Sequence, residues 1–105
     1  MSYTVAFTPE AQELLLELYR YIAAAASPVI AERYTSAIIP HCEELRTFPH
    51  RGNRRDDIRG SLRVTNYRKR VVIAFDVDAE QVSVIGIFYG GQDYETVLQG
   101  DTDDS

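Results

Sequence analysis

The chain has one cysteine, Cys42, two histidines, His41 and His50, a single lysine, Lys69, and no tryptophan. A lone cysteine excludes an intramolecular disulfide and a cysteine-built metal cluster. The adjacent His41 and Cys42 cannot point two ligands at one ion from a helix, so no metal and no cofactor is expected. No apolar run approaches the roughly 18 residues that a membrane span needs. The amino-terminal MSYTVAF lacks the basic segment leading into an apolar one that marks a secretory signal. The expectation is therefore a cytoplasmic chain without a membrane partner. Positive charge is also scarce: 11 basic residues against 16 acidic ones leave a net charge of −5, which argues against a uniformly nucleic-acid-adhesive surface.

The few cations are concentrated. Arg51, Arg54, Arg55, Arg59, Arg63, Arg68, Lys69 and Arg70 are eight of the eleven, opposed within residues 51–70 only by Asp56 and Asp57. That segment carries 8 − 2 = +6, leaving −5 − 6 = −11 for the remainder. A cationic patch on an acidic body steers anionic partners, although charged loops are also common solvated surface.

A chain of 105 residues is one domain by size, read here as residues 1–99 followed by an acidic tail, 100–105. Its organising stretch is Val71 to Tyr94, two β-branched and aromatic runs around the short link Asp78-Ala79-Glu80-Gln81. Val71, Ile73, Phe75 and Val77 share one parity; Val82, Val84, Gly86 and Phe88 share another; Val72, Ala74, Ile85 and Ile87 fill the rest. A hairpin apolar on both faces expects cover on each. Upstream, Ser2 to Phe7 reads as a strand. Thr8-Pro9-Glu10 carries a cap, a proline suited to the first helical position and an acid for the dipole. Ala11, Leu14, Leu15, Leu18, Tyr21, Ile22 and Ala25 then form an apolar stripe. Ser27-Pro28 repeats the start signal, so a second helix follows at once in an antiparallel hairpin, with Ile30, Tyr34, Ala37 or Ile38, Cys42, Leu45 and Phe48 inward. Pro40 predicts a kink or break. Residues 50–60 read as a connecting loop. Ser61 to Tyr67 reads as a strand whose Arg63 and Thr65 stand on an outward face, and YETVLQ as one or two terminal helical turns. The fold class is α+β: a strand, a helical hairpin and a three-stranded mostly antiparallel sheet, in the order βααβββ. Cys42 and His41 read as core or boundary, His50 as a group near the last carbonyls of the helix.

LRTFPHRG (Leu45 to Gly52), the basic loop, LRV (Leu62 to Val64), RVVIAFDV (Arg70 to Val77) and VIGIFYGGQDYETVL (Val84 to Leu98), in that order behind a helical hairpin, resemble the RelE/ParE superfamily of type II toxin–antitoxin toxins from Tyr3 to Leu98. The resemblance implies a stable toxin neutralised by a labile antitoxin in a hetero-oligomer. The antitoxin would fold on the toxin, laying an apolar helix over the hairpin at Leu18, Tyr19, Ile22, Tyr34 and Ile38 and an extended piece near the sheet edge. RelE-like members cleave messenger RNA on the ribosome, which requires proton transfer and cations on the phosphorane. ParE-like members inhibit DNA gyrase. Arg70 can match the RelE strand arginine, but the position beyond the last strand holds Gly90, Gly91 and Gln92, without a cation. The expectation is the ParE-like branch, a non-catalytic gyrase inhibitor that meets its target through Arg51, Arg54, Arg55, Arg59, Arg63, Arg68, Arg70, Tyr89 and Gln92. The alternatives are a ribonuclease using Arg63, Arg70 and Tyr89 on ribosome and messenger RNA, and a non-toxic remnant that only binds the antitoxin.

Overall fold

Thr8 and Ser27 each start a helix in the same way. In the computed structural model, which describes residues 3–90 and Leu98, the Thr8 hydroxyl accepts from the Ala11 amide at 3.1 Å and the Ser27 hydroxyl from the Ile30 amide at 3.1 Å. Each cap precedes a proline at the first helical position, where a missing N–H costs nothing. The helices are α1, Pro9–Ala25, and α2, Pro28–Glu43, with a short 3₁₀ turn at Glu44–Arg46. Only Ala26 and Ser27 link α1 to α2, which makes them neighbours in one layer. Helix α2 runs through Pro40 without the expected break. Pro40 and Ser36 are both exposed, so water can serve the Ser36 carbonyl that the proline leaves without its donor.

The strands are β1 (Thr4–Phe7), β2 (Asn53–Arg54), β3 (Leu62–Tyr67), β4 (Val71–Val77) and β5 (Gln81–Tyr89), forming one sheet in the order β1-β5-β4-β3-β2. Strand β1 joins β5 in parallel, and every other pair is antiparallel. The sheet has two more strands than the expected three because β1 closes onto the last strand and because the basic loop contributes the short β2. The β4–β5 link is set by Asp78, whose Oδ1 accepts from the amides of Glu80 at 2.9 Å and Gln81 at 2.7 Å. Those two donors hold its carboxyl below the ordinary carboxylate value.

Both faces of the ribbon are covered, but a bulge divides them differently from simple parity. Ala74 pairs with Gly86 and Phe75 with Val84, so Ile85 has no partner and the alternation of β5 reverses there. Val82 and Val84 face the helices before the bulge; Ile87 and Tyr89 do so after it, opposite Ile73 and Val71. Phe88 turns to the other face with Ala74, Leu62, Val64, Ile58 and Leu98. Grouping Phe88 with Val82 and Val84 is thereby corrected. Under the helices, Phe75, Ile73, Ile87, Val71, Val82 and Val84 are all but fully buried, each burial contributing about 2 kcal/mol by area.

The inward stripe of α2 is Ala31, Thr35, Ile38, Cys42 and then Leu45: Ile38, Cys42 and Leu45 are as expected, while its first half is one step round, Ala31 and Thr35 taking the places of Ile30 and Tyr34. Ile30 and Phe48 instead stand 49% and 56% exposed. Small Ala31 lets the helices approach, and Thr35 can be buried because its hydroxyl donates to the Ala31 carbonyl at 2.8 Å. In α1, Ala11, Leu18 and Ile22 are buried, whereas Tyr21 is exposed. Of the expected terminal turn only Leu98 is described, helical and buried. The acidic tail lies outside the described residues.

Candidate functional site

The basic segment 51–70 splits into two populations. Arg51 binds Glu44 at 3.0 Å and lies over the Phe48 ring at 5.3 Å. Arg54 binds Asp56 at 2.6 Å, and Arg55 forks onto both oxygens of Asp57 at 3.0 and 2.9 Å. The Arg55 hydrogen bonds hold the Asp57 carboxyl below its ordinary value. Arg59 is half-buried and sends its field toward Asp76 on β4. Arg51, Arg54 and Arg55 are thus paired with the chain's own acids, and the Arg–Asp pairs two residues apart are exposed and screened by solvent.

Arg63 is committed differently. Its strand position puts it on the helix-side face opposite Phe75, not on an outward face. There the guanidinium donates to the backbone carbonyls of His50, Arg51 and Gly52, pinning the loop that precedes β2. Gly52 belongs to the same device: its φ is +80°, and a β-carbon there would run into the Val64 carbonyl. The His50 ring sits edge-on to Tyr3 at 6.5 Å rather than capping the helix.

Arg68, Lys69 and Arg70 form the second population, at the turn between β3 and β4. All three are exposed, and none forms an ion pair with a carboxylate among the described residues. The turn is closed by the Arg70 amide donating to the Tyr67 carbonyl at 3.3 Å. Its two central residues, Arg68 and Lys69, have φ of 54° and 67°, where glycine or asparagine is the easy choice. The Arg70 carbonyl accepts from Gly90 at 3.0 Å, which places the end of β5 beside this cationic tip.

An aromatic cluster stands behind the tip. Tyr34 meets Tyr67 edge to face at 5.7 Å and Tyr89 at 6.3 Å; His41 lies against Tyr67 at 4.9 Å, and Tyr21 against Tyr89 at 5.4 Å. Arg68 lies over the Tyr67 ring at 5.3 Å. Burial, with Tyr89 and Tyr67 adding to it, raises the Tyr34 pKa, and Arg68 and Arg70 pull part of the way back. Burial also pushes the neighbouring Cys42 thiol up to about 12, so it is a small core hydrophobe and not a nucleophile. Among the described residues no group of His, Cys, Asp and Glu is arranged to hold a metal ion.

The structure thus brings Arg68, Arg70 and Tyr89 together with Lys69, while Arg51, Arg54 and Arg55 pair with acids, Arg63 holds loop carbonyls and Arg59 lies near Asp76 without an ion pair among the described residues. Gln92, Gly91 and Asp93 lie outside the described residues. On the helical hairpin, Leu18, Ile22 and Ile38 are buried core residues rather than surface ones, with Leu18 lining a pocket beside Tyr21 and Tyr89. Tyr19 is half-buried and lines a groove of about 600 Å³ on the outer side of the hairpin with Phe7, Leu15, Leu16 and Ile39. Leu16 and Ile39 are 44% and 39% exposed, and sequence reading missed both, since each falls one step off the inward stripe. No described helix is long and apolar enough to cross a membrane.

The sequence matches a family model described as the ParE toxin of type II toxin-antitoxin system, parDE, over residues 5–94. The chain belongs to the ParE toxin family. Among solved structures, a chain of the chromosomal ParDE TA system from P. aeruginosa has the same fold, with a TM-score of 0.74 over 85% of this chain and 97% of that one. The sequence identity is 16%, so this likeness concerns the fold. No curated protein matches the sequence. The family assignment gives the cationic tip its context: in this ParE-family chain, Arg68, Lys69, Arg70 and Tyr89 crowd one end of the sheet.

Proposed function

We propose that this ParE-family chain is a toxin that inhibits DNA gyrase, held inactive by a cognate ParD-like antitoxin. The observation that carries the reading against a ribonuclease is the position of Arg63. It sits four residues up β3 from Tyr67, about 14 Å from the tip by strand rise, with its guanidinium spent on three carbonyls. Arg63, Arg70 and Tyr89 therefore do not converge on one phosphate, as proton transfer and phosphorane stabilisation require. The tip of Arg68, Lys69 and Arg70 suits electrostatic engagement of a macromolecule, and Tyr89 supplies an aromatic edge beside it. The groove bearing Leu16, Tyr19 and Ile39 suits an apolar antitoxin helix, which replaces Leu18, Ile22 and Ile38 with surface residues as the contacts.

The test is supercoiling by purified gyrase. The protein inhibits it, the antitoxin encoded beside it restores it, and reversing the tip with Arg68→Glu and Arg70→Glu reduces inhibition at least about tenfold. Unchanged supercoiling at large molar excess overturns the reading. Codon-specific cuts in messenger RNA on induction, lost in Arg70→Ala, would select the nuclease instead.

A further inference from the structure

We propose that the cleft between α2 and the β3–β4 turn is a carboxylate-binding site, which receives an acidic side chain with apolar neighbours from a protein partner. The cleft holds about 270 Å³ and is lined by Ile30, Arg33, Tyr34, Ala37, Tyr67 and Arg68. Arg33 from α2 and Arg68 from the turn both line it, no carboxylate does, and neither arginine is in an ion pair among the described residues. The Tyr34 hydroxyl is buried with no hydrogen-bond partner among the described residues. Leaving such a donor unmet is costly, and a turn of the Tyr34 side chain, which lines the cleft, would let a ligand oxygen meet it. Because its pKa is raised, Tyr34 remains an O–H donor throughout the neutral range.

The backbone points the same way. Arg68 and Lys69 occupy left-handed positions that ordinary residues adopt only at a cost, and strain of this kind persists where a side chain has work to do.

The chemistry selects a protein carboxylate over nucleic acid. Of the two rings lining the cleft, Tyr67 is buried with Arg68 over one face, and Tyr34 packs edge to face against it, which leaves a base little to stack on there. The −11 outside residues 51–70 repels an extended polyanion while leaving a single carboxylate free to enter. Ile30 at 49% exposure and Val29 at 65% supply apolar surface for the residues flanking that carboxylate. A segment seated here engages Arg68 and covers one side of the cationic tip. The site stands independently of whether gyrase is the target.

The test titrates the full chain with an acetylated, amidated Leu-Glu-Leu tripeptide while following arginine Nε–H and tyrosine resonances by NMR. Saturable shifts at Arg33, Tyr34 and Arg68 with a dissociation constant of about 1 mM are expected, and none with the Leu-Gln-Leu counterpart. Arg33→Gln and Arg68→Gln, both at exposed positions, each weaken binding about tenfold. Absence of shifts at about 20 mM, equal shifts from the Gln peptide, or indifference to both substitutions overturns the proposal. Tighter binding of a thymidylate dodecamer than of the peptide overturns it too and assigns the cleft to nucleic acid. Supercoiling measured on the same samples fails or succeeds separately, so the two readings are distinguishable.

Discussion

The Phe88 ring lies across Gly86 so closely that a β-carbon on residue 86 would stand 2.5 Å from Phe88 Cε2. This contact accompanies the bulge that reverses β5 and sends Phe88 to the back of the sheet, away from the helices. Phe88 is 3% exposed, so its ring has nowhere to retreat. Gly86→Ala is therefore expected to destabilise the fold by about 2 kcal/mol in denaturant unfolding. The cost should shrink in a Phe88→Leu background, where the clashing ring edge is gone; additive losses would show that the two positions are not coupled.

Arg63 offers the second prediction, because its commitment to three carbonyls makes it a strut and not a free cation. Arg63→Ala leaves those carbonyls to water and loosens the loop that leads into β2, a loss of about 2 kcal/mol for charge-assisted bonds. Arg63→Lys recovers only part of it, since a point ammonium cannot fork across three acceptors. Equal stability of the parent and the alanine variant would return Arg63 to the pool of free surface cations.

These two residues show where sequence reading works on this chain and where it stops. The helix starts at Thr8 and Ser27, the hairpin and the need to cover both faces of the ribbon depend on local pattern, and all are legible. The bulge is not, because Ile85 becomes an extra residue only once β4 supplies the register. The parallel pairing of β1 with β5 is equally non-local. Strand parity correctly separates Arg63 and Thr65 from Leu62 and Val64, but parity does not say which face a loop will cover. The pairing of Arg54 with Asp56 and of Arg55 with Asp57 is legible from spacing alone in hindsight, and it thins the cationic patch to its far end. Ala31 and Thr35 are hidden for another reason: a small residue and a hydroxyl that satisfies itself do not register as hydrophobic.

The tip itself gives a prediction in which losing a cation strengthens the protein. Lys69 has a φ of 67°, and glycine adopts that region without steric cost. Lys69→Gly should raise unfolding stability by about 1 kcal/mol, the relief of the left-handed strain outweighing the added freedom of the unfolded chain. Under the proposed gyrase function, the same variant should inhibit supercoiling less at low ionic strength, the difference narrowing as salt screens the tip. A variant that is less stable than the parent would show that the turn conformation is not strained.

Asp76 on β4 provides the pH dependence. It is half-buried, its Oδ1 has no hydrogen-bond partner among the described residues, and burial raises its pKa above the ordinary 3.8, with the Arg59 charge pulling partly back. A folded pKa above the unfolded one means that the native state holds the proton more tightly. The stability it contributes is fully present below 3.8 and is lost as pH rises through the folded value. Asp76→Asn, which cannot ionise, should therefore unfold at a higher temperature than the parent near about pH 7 and at no higher temperature near about pH 3. Arg59→Gln should act in the opposite direction at neutral pH by removing the cation that eases the charged form. That effect should vanish in the Asp76→Asn background, because Arg59 then has no charge to stabilise. Thermal melts across that pH range on the four proteins decide it: parallel curves for parent and Asp76→Asn would mean that water already reaches the carboxylate and that its burial carries no penalty.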